Sequence, residues 1–513
     1  MSLIEYLSAG AVYAICLLMP YLMFRVFYNN YYHDLRKFPG PLLATITDGY
    51  AGYHGLRRAL PEATWKDHQV YGSVMRYGPN RLVFDTATAL RDIYKNPRFT
   101  KSRVYLFSLA GPSPFIFNAL DQDVHMRKRK MISPALSERS LRDFEPTMLE
   151  SIDLFLKLIA ASGSEPVNLT DRCRRLSMDV AVQLGFGCSL NLQTNHDHDF
   201  IFQGISIANY RINSYMNFPA LSNLQLDLIL KNTPMRAKWH NTVAKMVQAR
   251  LSVGRDAKRD FYSFVMGNLE VDSDDIKHSE LFAESLFFLS AAGDTISTSL
   301  AAMFFYLSRN PDCYQKLCNE VRSAFDSSTD IVGGVRLASC RYLRACINEA
   351  LRMSPPIGGT LWRQVADEAD STPLIIDGHV IPAGTTVGVN IYSIHHNKRY
   401  FPDPFKYKPE RWLSETFTDD QDDVGASEMA KAFSPFSIGV RSCAGKAMAY
   451  LEMSLLVAKT LYCFDFAEVP GPLGQVGTWK DKKFRASEFQ TFDALTSRHD
   501  GPYLQFTSRD TFA

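Results

Sequence analysis

The chain predicts a mainly helical protein with small β-sheets, an α+β fold, behind an N-terminal transmembrane helix. Three observations carry this. Residues 279–310 are apolar nearly all round, as befits a helix through the centre of a domain. Strand-like runs are confined to residues 82–87 and 374–391. Residues 7–24 pass without a single charge.

Composition narrows the class. The 513 residues are 46% hydrophobic and 21% charged, and 56 Lys and Arg against 54 Asp and Glu leave a net charge of +2. Such a chain has ample material for a core and is not disordered. Its near-neutral balance gives no electrostatic reason to expect nucleic acid. No repeat of solenoid period occurs. Nine irregularly spaced cysteines, none in a zinc-type C-x-x-C pair, point to reduced thiols facing the cytosol. The sequon at Asn168-Leu169-Thr170 is chance in that compartment.

The elements follow in chain order. Eighteen uncharged residues (7–24) make about 27 Å of helix, enough to cross a hydrocarbon core. Pro20 predicts a kink near its exit. Glu5 and the absence of an early Lys or Arg argue against a cleaved signal. Arg25, Arg36, Lys37, Arg57 and Arg58 follow, so the positive-inside bias leaves the bulk of the chain in the cytoplasm. Tyr21, Phe24, Phe27, Tyr28, Tyr31 and Tyr32 suit an interfacial aromatic belt. We therefore expect an anchor over 1–28, a proline-containing hinge over 29–45 around Phe38-Pro39-Gly40-Pro41, and a catalytic domain over 46–513. Residues 374–391, punctuated by Asp377-Gly378 and Ala383-Gly384, predict hairpins of one small sheet. The long central helix stops at Pro311 and carries too many polar groups for a second membrane span.

Chemistry concentrates near the C-terminus, in Phe436-Ser-Ile-Gly439-Val-Arg441-Ser-Cys443-Ala-Gly445 ahead of a helical run. A lone cysteine is usually a small core residue. Here Gly439 permits a tight turn and the close approach of a flat group. Cys443 lies just before a helix, where free N–H groups and the helix dipole favour a thiolate. Arg441 can pair with a carboxylate on that same flat group. A thiolate in such a turn suits axial ligation of haem iron.

This run resembles the haem-binding signature F-x-x-G-x-R-x-C-x-G of the cytochrome P-450 superfamily, the haem-thiolate monooxygenases. The resemblance implies that Phe436, Gly439, Arg441, Cys443 and Gly445 contact haem, with Cys443 the axial ligand of the iron. Glu349-Ala-Leu-Arg352 resembles the family's E-x-x-R, which implies a buried structural network completed by Arg411 of Pro409-Glu-Arg-Trp412. Asp294 and Thr295, in Ala291-Ala-Gly-Asp-Thr295, resemble the acid–alcohol pair that passes protons to bound oxygen, in a helix locally widened over the haem. The alternative is a Thr bonded back to its own helix and an Asp capping a nearby group. Ala292 and Ile296 depart from the family's usual residues there. His125, Arg129 and Arg363 match the haem-propionate contacts, and Arg127, Lys128 and Lys130 are left as a positive docking patch for an acidic electron donor.

The resemblance further implies haem b, O2 as co-substrate, and NADPH electrons delivered through a reductase, with cytochrome b5 as a second possible donor. The chain has no nucleotide-binding signature of its own. Membrane lipid and an apolar small molecule are the other expected partners, and the endoplasmic-reticulum membrane the expected site, single-pass. Tyr105, Phe107, Phe115, Phe117, Phe288, Ala292, residues 357–361 including Ile357 and Leu361, and residues 489–492 including Phe489 are the expected pocket. The wording resembles filamentous-fungal members of natural-product pathways, which implies a terpenoid, polyketide or alkaloid substrate. Two rival readings are a haem-thiolate isomerase or dehydratase that needs no O2, and a non-enzymatic haem carrier or sensor.

Overall fold

The computed structural model describes residues 16, 19–109, 111–224, 234–254, 260–265, 279–366, 372–414, 427–479, 485 and 487–509. Most of the expected membrane span (1–15, 17 and 18) lies outside the described residues. Residues 19–31 are helical and leave Phe24, Phe27, Tyr28 and Tyr31 exposed.

Eight helices position the site: α1 (Gln122–Ile132), α2 (Glu138–Ala161), α3 (Leu169–Phe186), α4 (Phe200–Asn217), α5 (Pro234–Ser252), α6 (Glu280–Arg309), α7 (Arg341–Met353) and α8 (Lys446–Cys463). Helix α6 begins where Ser279 caps it, its side chain accepting from the Phe282 N–H. It ends at Asn310, because Pro311 cannot continue it. Leu300 to Leu307 are buried on every face, as the all-round apolar pattern requires. Among the described residues, α6 alone is long and apolar enough to cross a membrane, and its burial makes it a core helix. A Cβ on Gly293 would come within 2.6 Å of Met178 Cε on α3, so this glycine serves close helix packing.

Among the described residues, twelve short strands form four sheets, the largest ordered β1-β2-β8-β5-β3 (Val74–Gly78, Arg81–Phe84, Thr386–Val389, Arg363–Val365, Phe99–Lys101). Strands β6 (Leu374–Ile376) and β7 (His379–Ile381) pair as a hairpin on Asp377 and Gly378, both at positive φ as a tight turn needs. The second expected hairpin does not form. Strand β8 instead leaves to pair in parallel with β2, a long-range partner that local patterning cannot announce. The third sheet joins β4 (Val167–Asn168), β12 (Tyr503–Ser508) and β9 (Phe464–Glu468), and the fourth pairs β10 (Phe492–Ala494) with β11 (Thr496–Arg498).

Candidate active site

The loop before α8 is wound tightly. Ser437 and Gly439 both hold positive φ, Ser442 N–H donates to the Gly439 carbonyl at 3.0 Å, and Cys443 N–H closes the loop on the Phe436 carbonyl at 2.9 Å. Gly439 makes the tight turn expected of it, at φ +74°, and is required for a second reason: a Cβ there would strike the backbone carbonyl of Tyr94. The Cys443 thiol opens into a cavity of about 430 Å³, also lined by Phe436, Arg441 and Gly445. What Cys443 exposes is therefore cavity wall, and the surrounding protein still encloses it. Burial pushes its pKa up, opposed by the Gly445 N–H and the charge of Arg129.

Four of the cations that line the cavity gather around His125: Lys101, Arg129, Arg363 and Arg441. Their hydrogen bonds go to neutral groups. Arg129 donates to the Ser442 carbonyl at 2.6 Å, and Arg441 to the Ala119 carbonyl at 2.5 Å and to Thr100 Oγ1 at 3.1 Å. Arg363 donates to the Trp362 carbonyl at 3.1 Å, and Lys101 Nζ to the Phe117 carbonyl at 2.5 Å. His125 sits among them, its pKa pushed down to about 3 by burial and by the charges of Arg441, Lys101, Arg129 and Arg363. Like charges gather this way where an anion binds.

Helix α6 forms the opposite wall with Ala291, Ala292, Thr295, Ile296 and Ser299. The expected widening is absent, and α6 runs as continuous α-helix through it. Thr295 Oγ1 donates to the Ala291 carbonyl of its own helix at 2.7 Å. Asp294 is not a cavity residue; its carboxylate accepts from Thr496 Oγ1 at 2.6 Å and faces Arg174 Nε at 3.6 Å.

Residues 57–474 match the family model for cytochrome P-450. The chain belongs to the cytochrome P-450 family. It is similar to cytochrome P-450 monooxygenase apf7 of Gibberella fujikuroi, 35% identical over 94% of this chain and 95% of that one. It is also similar to monooxygenase poxM of Penicillium oxalicum, 34% identical over 98% and 95%, and to AKT7 of Alternaria alternata, 32% over 96% of each. The protein is a P-450 monooxygenase, an oxidoreductase whose family employs haem iron and O2, a small-molecule substrate and a redox partner.

The residues present fit that haem. A P-450 haem offers one metal centre and two propionate carboxylates, and this cavity offers the Cys443 thiol and, in Lys101, Arg129, Arg363 and Arg441, four cations whose hydrogen bonds go to neutral groups. Lys101 was not singled out in the sequence; one lysine in a three-residue strand carries no local signal, and only its burial beside Arg363 and Arg441 marks it.

The structure also brings Glu349, Arg352 and Arg411 together, the first two fully buried and the third partly so. Arg352 Nε and Nη2 donate to the two Glu349 oxygens at 2.9 Å each, Arg411 Nε donates at 3.1 Å, and Trp412 Nε1 at 3.0 Å. Burial opposes ionisation of Glu349, yet Arg352 and Arg411 hold its pKa below the usual value.

Other expectations need correction. Lys128 is no part of a docking patch: it is buried, and its Nζ bonds Glu280 and lies 2.8 Å from Glu284 Oε1. Arg127 pairs with Glu280 at 2.7 Å, which leaves Lys130 exposed. Glu284 also accepts the Ile116 N–H at 2.9 Å, so this cluster ties α1, α6 and the cavity loop together. Tyr105, Phe115, Phe117, Phe288, Ala292, Ile357 and Leu361 do line the cavity. Phe107, Phe489 and Phe492 do not: Phe107 packs on Tyr215, Phe489 on Phe305, and Phe492 is exposed. The C-terminal hairpin reaches the cavity a few residues later, through Leu495 and Thr496.

Proposed function

We propose that this P-450 is a membrane-anchored monooxygenase of fungal secondary metabolism that inserts one oxygen atom into an apolar small molecule. The observation that carries this reading is the Cys443 thiol opening, across the cavity from α6, into a chamber ringed by unpaired-off positive charge on one side and apolar side chains on the other. Haem b, when bound, supplies the oxygen chemistry, with electron density from the Cys443 thiolate favouring O–O cleavage. Lys101, His125, Arg129, Arg363 and Arg441 hold its propionates; Phe436, Gly439 and Gly445 shape the proximal turn; Glu349, Arg352 and Arg411 hold the fold beneath it. Phe115, Phe117, Phe288, Ala292, Ile357 and Leu361 exclude water and orient the substrate. Thr295 lies at the cavity wall, and the Asp294 carboxylate, one residue away and outside the cavity, accepts the Thr496 hydroxyl.

Electrons come from NADPH through a partner reductase, since this chain has no nucleotide-binding signature. The exposed aromatic helix at 19–31, with exposed Leu42 and Leu43 beyond it, supports a lipid-facing N-terminal side and hence a single-pass anchor over 1–28 in the endoplasmic-reticulum membrane. The test is product analysis of the chain co-expressed with a reductase and fed apolar terpenoid, polyketide and alkaloid intermediates under labelled O2. One labelled oxygen atom in the product is expected. Unchanged product without O2 would replace this reading with an isomerase or dehydratase.

A further inference from the structure

The roof of the cavity is α4, which lines it with Gly204, Ile205, Ala208, Asn209 and Ile212. Along this helix Asn209, Asn213 and Asn217 recur at every fourth position, so they form one stripe, and all three are buried. Asparagine is a poor choice inside a helix unless its amide is used. Here each amide is used. Asn217 Nδ2 donates to the Asn213 carbonyl and side chain at 2.8 and 3.0 Å, Asn213 Nδ2 to Asp493 Oδ2 at 2.9 Å, and Asn209 Nδ2 to Thr496 Oγ1 at 2.9 Å. The stripe thus straps the β10–β11 hairpin to the roof. The hairpin turns at Leu495, a non-glycine residue at φ +74° that β10 and β11 hold in place on either side.

One hydroxyl joins the two halves of this strap. Thr496 Oγ1 accepts from Asn209 and donates to Asp294 Oδ2 at 2.6 Å, so it bonds the roof and the central helix at once. Thr496 itself lines the cavity, whereas Asp294 does not. Its neighbour Ser497 is fixed from a third direction, its N–H donating to the Pro356 carbonyl at 2.7 Å beside the 356–361 wall. Thr295 lies on the cavity wall, whereas Asp294 lies on the flank of α6 that meets Arg174 and Thr496. The hairpin supplies the alcohol that Asp294 reaches.

We propose that Thr496 is a positioning residue that sets the Asp294 carboxylate and, through Asn209, couples it to the roof, so that the acid is held in place only while α4 is closed over the cavity. This rests on the monooxygenase reading above. Threonine suits the task because its branched side chain is stiff at χ1, which fixes both hydrogen bonds at once. Lifting α4 breaks the Asn209 bond and leaves Thr496 free to turn.

Hydrogen–deuterium exchange of the haem-loaded full chain tests the coupling. Thr496→Val removes the hydroxyl at constant shape and Asn209→Leu removes its roof partner. Each should raise exchange in residues 200–217 about tenfold, the factor expected from one buried hydrogen bond lost with its partner left unsatisfied. The double variant should exchange no faster than either single one. Thr496→Ser should stay near wild type. Asp294→Asn should raise roof exchange in the native background and leave it unchanged in the Thr496→Val background. Unchanged roof exchange in Thr496→Val, or effects that simply multiply, would overturn the proposal. The reduced-carbon-monoxide spectrum separates the two claims: an intact thiolate band with an unresponsive roof defeats the coupling alone, while a wild-type chain without the band defeats the monooxygenase reading.

Discussion

Two buried clusters of charge in this protein are built on opposite principles. Around Glu349 both cations reach an opposite charge: one carboxylate is shared by Arg352 and Arg411 and also accepts from Trp412, and Arg352 Nη1 donates to the His395 and Pro404 carbonyls at 2.9 and 2.8 Å. Around His125, Lys101, Arg129, Arg363 and Arg441 face one another, and none of them forms an ion pair with a carboxylate among the described residues. The first cluster is complete without a ligand and therefore serves the fold. The second is tolerable only once an anion arrives and therefore marks a binding site. Burying charge is costly in both, and the difference lies in who supplies the compensation.

Removing one member of the complete cluster should produce the largest effect. Arg352→Leu leaves Glu349 buried and unpaired, a loss of about 3–5 kcal/mol, read as loss of the folded haem protein in urea denaturation. If Arg352→Leu unfolded at the native midpoint, the cluster would be no structural keystone.

The incomplete cluster should respond with opposite signs in two states. Lys101→Met removes a buried like charge, so the haem-free chain should gain about 1 kcal/mol. The haem-loaded chain should release haem faster, by about tenfold, because a propionate loses a charge-assisted contact. Transfer of haem to an excess acceptor protein measures the rate. A haem-free chain weakened by the change would break the contrast between the clusters.

A smaller effect comes from carboxyls outside both clusters. Burial pushes Glu452 and Glu62 up to about 8, an effect that the nearby Ser177 hydroxyl opposes little in the first and that Arg485 partly offsets in the second. Both bind a proton in the fold that the unfolded chain releases above about 4.5, so their contribution is complete at low pH and is lost as pH rises toward 8. Buried His68, pushed down to about 4, acts oppositely, but its contribution is complete above about 6.5. The thermal midpoint should therefore fall between pH 6.5 and 8.5. Each group can account for at most about 1.4 kcal/mol per pH unit. Glu452→Gln should flatten part of that slope, and an unchanged slope would show that Glu452 ionises normally.

Much of this was legible in the sequence wherever chemistry is local. The turn that presents Cys443 needs its residues in consecutive order, and the central helix declares itself through Ser279, an unbroken apolar surface and Pro311. What escaped is set by distant partners. Lys101 gains its meaning from Arg363 across a strand pair and from Arg441 far along the chain. Lys128 looked like solvated surface until Glu280 and Glu284 of α6 enclosed it. Asp294 turns from the cavity to Thr496 of the C-terminal hairpin, a partner that nothing local names. The membrane span is argued from the uncharged run 7–24, most of which lies outside the described residues, and from the exposed aromatic side chains of 19–31.

The axial bond from Cys443 is the claim on which the rest stands, and the reduced-carbon-monoxide spectrum of the haem-loaded chain tests it most directly. The wild-type protein should give the red-shifted band of a thiolate-ligated haem, and Cys443→Ala should bind haem, if at all, without it. A Cys443→Ala protein that keeps the band would place the iron on another residue and contradict the account.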